Sequence, residues 1–190
     1  MKTLANISGN DLVGALKDTL ATQCNVLIEI AEAVASALAA GRKLLLCGNG
    51  GSAADCQHIA AELVNRFRME RRPLPAIALT TDTSILTAIA NDYSFDDVFV
   101  KQVQALGCQG DVLLGVSTSG SSENVVRALA EAKSMGILTV GLTGAEGSAM
   151  EAVCQCLLKV QSTDTPRIQE VHIFLGHVLC DMVERKVCGE

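Results

Sequence analysis

The passage from Lys43 to Glu62 constrains this chain more than any other, because it reads without interruption as buried strand, glycine turn and helix start. Leu44 to Cys47 form a short apolar run of the kind required by a strand covered on both faces. Gly48, Gly50 and Gly51 then allow backbone angles that residues with side chains avoid, and Asn49 and Ser52 add polar atoms at the same turn. A glycine turn that feeds a helix aims several N–H groups and the positive end of the helix dipole at one point, where a phosphate fits. An ordinary strand-to-helix turn uses the same residue types, and neither standard nucleotide spacing is met. Ser52 and Ala53 interrupt GxGxxG, and no Gly-Lys-Ser/Thr follows. Just beyond the turn, His58 and Glu62 stand four apart and share one helix face.

Around this passage the chain alternates. Leu12, Leu16, Leu20, Val26, Leu27, Ile30, Val34 and Leu38 recur at helical spacing, which predicts a long helix over about 9–40, stopped by Gly41. A helix over 52–70 should end before Pro73, and 76–80 should be a strand. A short helix over 83–90 is broken by Asn91-Asp92, and another runs over 97–106. Strands follow at 111–117, 138–143 and 156–160, separated by helices over 123–135 and 147–153, and a last helix covers 165–186. Strand and helix alternating in this way imply a parallel sheet with helices on both faces, because parallel neighbours need a crossover. The 190 residues read as a single domain, 1–190, with an αβ core over about 41–190 behind the amino-terminal helix. Ligands of such sheets bind at the carboxyl ends of the strands. The polar turns 48–52 and 117–122 both follow strands and therefore share that edge.

Composition removes several classes of function. A net charge of −6 and the absence of a Lys/Arg stripe argue against nucleic-acid binding. The one basic cluster, Arg66, Arg68, Arg71 and Arg72, reads as a solvated helix end. No apolar run is long enough to cross a membrane, and the amino terminus lacks a secretory segment, which reads as a cytoplasmic protein. The eight cysteines sit mostly in apolar periodic segments and read as buried, reduced thiols. Cys154-Gln-Cys156 lacks a second pair for a zinc-finger site and begins a strand instead.

The second polar turn places five hydroxyls, Ser117, Thr118, Ser119, Ser121 and Ser122, just before a helix with Glu123 in its first turn. One serine suffices for a cap. Five, with the N–H groups of a helix start, make a cage for a phosphate dianion.

Three motifs in order, Gly48-Asn-Gly-Gly-Ser52, Asp111-Val-Leu-Leu-Gly-Val-Ser-Thr-Ser-Gly120 and Arg167-Ile-Gln-Glu-Val-His172, resemble the sugar isomerase (SIS) domain family and within it the phosphoheptose isomerases. The resemblance covers about residues 10 to 188. It implies a flavodoxin-like, doubly wound five-stranded parallel sheet and a homotetramer with active sites between subunits. It also implies interconversion of sedoheptulose 7-phosphate and D-glycero-D-manno-heptose 7-phosphate, which supplies the heptose of the lipopolysaccharide core. Carried over residue by residue, Asn49, Gly50, Gly51, Ser52, Asn91, Asp92, Ser117, Thr118, Ser119 and Ser122 match substrate-binding places. Glu62 and His177 match the catalytic pair. His58, Glu62, Gln169 and His177 match the set that holds zinc in several members, with Glu62 and Gln169 also facing substrate. Thr165-Pro166 stands where some relatives carry Ala-Asp, so no role of that aspartate carries over.

The residues suit that chemistry. Moving a carbonyl between C1 and C2 needs a base for a carbon-bound proton and an acid for the oxygens, and a carboxylate and a histidine suffice. Zinc would either polarise those oxygens or orient the same side chains. His172 is left as a structural residue or a second candidate. Two other readings remain open. Pro73 to Asp82 and Leu86 to Asp92 resemble non-catalytic relatives that bind the bacterial replication initiator as tetramers, although those tend to lack the acid and the histidine found here at Glu62 and His177. An isomerase for a different sugar phosphate would also carry these motifs.

Overall fold

In the computed structural model, which describes residues 1–146 and 149–189, the apolar run Leu44–Gly48 is strand β1 and lies within a parallel sheet. It pairs with β2 (Ala76–Ala78) on one side and β3 (Val112–Val116) on the other, and β4 (Leu138–Thr143) and β5 (Cys156–Lys159) continue the sheet. The order β2-β1-β3-β4-β5 is the flavodoxin-like one, whose switch point lies between β1 and β3. Both polar turns follow these two strands, so the topology sets them side by side where such sheets take their ligands.

Because side chains alternate along a strand, β1 serves two cores. Leu44 and Leu46 pack on one face, Leu45 and Cys47 on the other, all fully buried. The helices divide accordingly. They are α1 (Lys2–Ala39), α2 (Gly51–Val64), α3 (Thr83–Asp92), α4 (Val100–Leu106), α5 (Glu123–Ser134), α6 (Met150–Val153) and α7 (Thr165–Cys188), with a 3-10 turn at Phe95–Asp97. Helices α1, α2 and α7 cover the first face, and α3 to α6 the second.

Several boundaries differ from the sequence expectation, the strand over 76–80 ending at Ala78 and the helix over 97–106 starting at Val100, and for two other helices the reason is visible. Helix α1 starts at Lys2 rather than near residue 9, since Arg167 of α7 donates to the Ser8 carbonyl (2.5 Å) and hydroxyl and ties that early stretch to the body. Helix α3 runs through Asn91-Asp92 instead of breaking there. Helix α2 ends at Val64, well before residue 70, because the following backbone is pulled away from it. The carboxylate of Glu184, wholly buried on α7, accepts the N–H groups of Phe67 (3.1 Å), Arg68 (2.7 Å) and Met69 (2.8 Å) and pairs with Arg71 Nε at 3.0 Å. Arg71 in turn donates to the carbonyls of Glu62, Leu63 and Asn65. It thereby satisfies the acceptors that the end of α2 leaves open. The basic cluster is thus not uniformly a solvated helix end. Arg66 and Arg68 are exposed, while the Arg71 side chain is only 3% exposed and built into the fold. The expected helix over 147–153 is seen from Met150 onward, and residues 147 and 148 lie outside the described ones.

Burial by itself would raise the Glu184 pKa, but the three backbone N–H groups and the Arg71 guanidinium outweigh it and hold the carboxyl below its ordinary value. A depressed folded-state pKa stabilises the fold above the unfolded value of about 4.3 and loses that contribution as pH falls through the folded one. Glu184→Gln should therefore cost about 3 kcal/mol or more at pH 7, as removal of one partner of a buried pair does. The gap to wild type should narrow below about pH 4. Thermal and urea unfolding at both pH values check this.

Candidate active site

Gly50 caps α2 at φ +56°, a conformation that disfavours any side chain, and no side chain caps the amino end of the helix. The Ala53 N–H bonds the Asn49 and Gly50 carbonyls, so the first-turn donors that this turn can offer a ligand are the N–H groups of Gly51 and Ser52. Ser52 is buried in this turn, and Gly51 is needed for a second reason. A Cβ there would meet the amide of Gln169 at 2.6 Å, so Gln169 of α7 lies directly over the turn.

The second turn is not built as a side-chain cap. Ser122 stands at the N-cap position of α5 but makes no capping bond. Its Oγ instead lies 2.9 Å from the Oγ of buried Ser117. Ser117 also lies 3.4 Å from Ser119 Oγ, which accepts from Ser121 Oγ at 3.0 Å. The four serine hydroxyls form one connected group, and a polar cavity of about 130 Å³, lined in part by Thr118, Ser119, Ser162 and Thr163, opens beside it. The two turns are joined directly, for the amides of Asn49 and Asn124 exchange two hydrogen bonds of 2.9 and 3.0 Å.

Further along α2, the side chains of His58 and Glu62 meet His177 of α7. His58 Nε2 lies 2.8 Å from His177 Nε2 and 3.2 Å from Glu62 Oε1. Around a tetrahedral zinc with bonds of about 2.0–2.1 Å, neighbouring ligand atoms stand roughly 3.3 Å apart, so this trio fits a metal donor set. One ligand atom from each lies within 4.8 Å of the others. Gln169, the fourth residue of the expected set, sits eight residues before His177 on α7 with its amide close over Gly51. His58 is exposed and Glu62 half-buried, while a cavity of about 460 Å³ opens onto His177.

Among the described residues, no hydrogen bond or ion pair joins Asn91 or Asp92 to this group. They sit exposed at the end of α3, bonded to each other at 2.9 Å. His172 is the structural histidine of the three. Burial pushes its pKa down to about 4, against a bond from Nε2 to the Thr143 carbonyl at 3.3 Å. Asp55, one turn before His58, has its pKa raised by burial and drawn back by that histidine. Burial pushes the Cys47, Cys154 and Cys180 thiols up to about 12, so they stay protonated. Cys24, Cys108 and Cys188, read from the sequence as buried, are exposed instead.

Comparison with known proteins gives this arrangement its relatives. The SIS domain family matches residues 10–144. The phosphoheptose isomerase of Maridesulfovibrio salexigens is 59% identical over 84% of this chain and 78% of its own. That of Aquifex aeolicus is 57% identical over 85% of each. Among solved structures, the phosphoheptose isomerase of Neisseria gonorrhoeae superposes with a TM-score of 0.90 at 44% identity, covering 96% of this chain and 98% of that one. The chain belongs to the phosphoheptose isomerases of the SIS domain family.

Two features of this site escape the sequence reading. Asn124 stands in the first turn of α5, and nothing in its spacing marks the partnership with Asn49. Phe67 reads as part of a helix that the structure ends before it. The Asn49–Asn124 pair holds the first turn in register with the second, so Asn124→Ala should weaken sugar-phosphate binding about tenfold, the loss of roughly one hydrogen bond plus an unpaired partner. Calorimetric titration checks this, and unchanged affinity would count against the turns acting together.

Proposed function

We propose that this chain interconverts sedoheptulose 7-phosphate and D-glycero-D-manno-heptose 7-phosphate, with the phosphate held between the two polar turns and the carbonyl end at Glu62 and His177. The observation that carries the reading is the approach of Glu62, His58 and His177, a carboxylate and two imidazoles from α2 and α7, beyond a turn suited to phosphate. Helical rise sets the scale: His58 stands about 10 Å along α2 from Gly51. A seven-carbon chain with its phosphate at the far end spans a distance of that order.

In this reading Glu62 takes a proton from C1 of the ketose while His177 donates one to the C2 oxygen, giving the 1,2-enediol. Glu62 then returns its proton to C2, His177 recovers one from the C1 hydroxyl, and the aldehyde forms at C1. Both residues end as they began. His58, Glu62 and His177 would hold a zinc ion, whose bound form would supply polarisation of the C1 and C2 oxygens. Glu62 serves as the stronger base when it is not a ligand. Gln169, lying over Gly51, contacts the sugar between the two ends. The 53–60% identity of phosphoheptose isomerases, together with the presence of Glu62 and His177, sets this reading ahead of an adaptor for the replication initiator.

The working form in this proposal is a homotetramer in the cytoplasm, acting without nucleic acid or membrane. Among the described residues no helix is long and apolar enough to cross a membrane. What the helices do carry is uncovered apolar surface. Leu4, Ile7, Val13 and Ile28 of α1 are exposed, and α3 buries none of its residues although its sequence is largely apolar. Neighbouring subunits would cover these faces and bring Asn91 and Asp92 of one chain toward the site of another.

Assay of the wild type with sedoheptulose 7-phosphate is the central test, and absence of turnover would overturn the reading. Glu62→Gln and His177→Gln should each lower kcat by roughly 10² or more. Both should still be stabilised by the sugar phosphate, whose phosphate contacts lie in the turns. Chain purified without chelator should carry zinc that His58→Ala loses, measured by elemental analysis. Light scattering should give four chains per particle.

A further inference from the structure

The irregular segment after α2 supplies no residue to the reaction just described, yet one of its side chains lies flat against a group that does. Phe67 stacks on the imidazole of His177, with ring centroids 5.6 Å apart and planes 14° from parallel. His58 meets the same imidazole edge-on, at 5.0 Å and 78°. A histidine ring turns easily about its last side-chain bond, since that torsion has broad minima, and backbone position alone leaves Nε2 free to point elsewhere. Here Nε2 is 2.8 Å from His58 Nε2.

Phe67 does not hold its own place by packing alone. Its N–H is bound by Glu184 Oε1, and the next two N–H groups by Glu184 Oε2. Arg71, paired with the same carboxylate, reaches the Glu62 carbonyl at 3.0 Å. Glu184 follows His177 by seven residues, two turns along α7, which places both on one face of the helix. One buried ion pair thus fixes the backbone beneath Phe67 and the end of the helix that carries Glu62.

We propose that Phe67, fixed by the Glu184–Arg71 pair, is a positioning residue that holds the His177 imidazole with Nε2 turned toward His58 and Glu62. The proposal rests on the role given to His177 above. Loss of the ring lets the imidazole rotate away from the reacting oxygens, and misplacement on the scale of an ångström costs up to about 10² in rate. Binding of the sugar phosphate, which depends on the turns, is left intact.

The test uses the full chain and the variants Phe67→Leu and Phe67→Tyr, assayed with sedoheptulose 7-phosphate. Phe67→Leu should lower kcat roughly tenfold or more, with KM changed less than about twofold, the pattern of a group needed only in the transition state. Phe67→Tyr keeps the stacked ring and should restore kcat to within about twofold of wild type. A purely structural role predicts instead that both variants track their melting temperatures. Wild-type kcat in Phe67→Leu, equal impairment in both variants, or a rise in KM matching the fall in kcat would each overturn the proposal. A second readout needs no turnover. In histidine-selective nitrogen NMR, with His177 assigned from His177→Gln, Phe67→Leu should shift and broaden the His177 ring signals and Phe67→Tyr should leave them sharp. Unchanged His177 signals in Phe67→Leu would also overturn it. Lack of wild-type turnover with the expected NMR change would instead refute the isomerase reading and leave the positioning intact.

Discussion

Helices α2 and α7 lie close enough to share an active site because α7 has no side chain at Gly176, where a Cβ would come within 2.8 Å of Ile59 Cδ1. The same closeness holds at the start of α2, where Gly51 leaves room for the Gln169 amide. These two contacts run in the same order along both helices and fix their register, and that register decides which side chains meet. With Ile59 seated on Gly176, His58 and Glu62 fall opposite His177, and their short contacts follow. A shift of one residue would rotate the trio apart by about 100° on one helix.

That packing lies on a sheet whose order does the rest. The switch point between β1 and β3 brings the glycine turn and the serine turn together, and the paired amides of Asn49 and Asn124 lock one to the other. In the proposed reaction the phosphate end of the ligand is thereby referred to the sheet and the carbonyl end to the α2–α7 contact. The chemistry needs both at a fixed separation. Rigid secondary structure supplies it better than loops, since strands and helices hold their side chains to within fractions of an ångström.

Polar groups were spent in the interior to obtain one irregular segment. Ending α2 at Val64 leaves carbonyls without partners, and Arg71 takes them up, while Glu184 gathers the N–H groups of the segment that follows. A longer α2 would satisfy the same groups without a buried charge. It would also carry Phe67 away from His177. The arrangement therefore costs desolvation of two charges and returns a fixed ring beside a fixed imidazole.

Much of this was legible in the chain. The apolar runs and their spacing determined the parallel αβ order, the two polar turns and their shared edge, because strand and helix periodicities are local properties of sequence. Strand β4 was read at its observed bounds, and the facing of His58 and Glu62 needed only the pitch of a helix. The sequence also marked His177 and Glu62 through their motif company. Tertiary structure alone decided where α2 stops, why α1 begins at Lys2, that Asn124 answers Asn49, and that Gln169 lies over Gly51. Each of these depends on a partner distant along the chain: Glu184 for the segment at 67–69, Arg167 for Ser8, and Gln169 for Gly51. Local propensity carries no term for such partners, so they exist only once the sheet and the α2–α7 contact have set the distances.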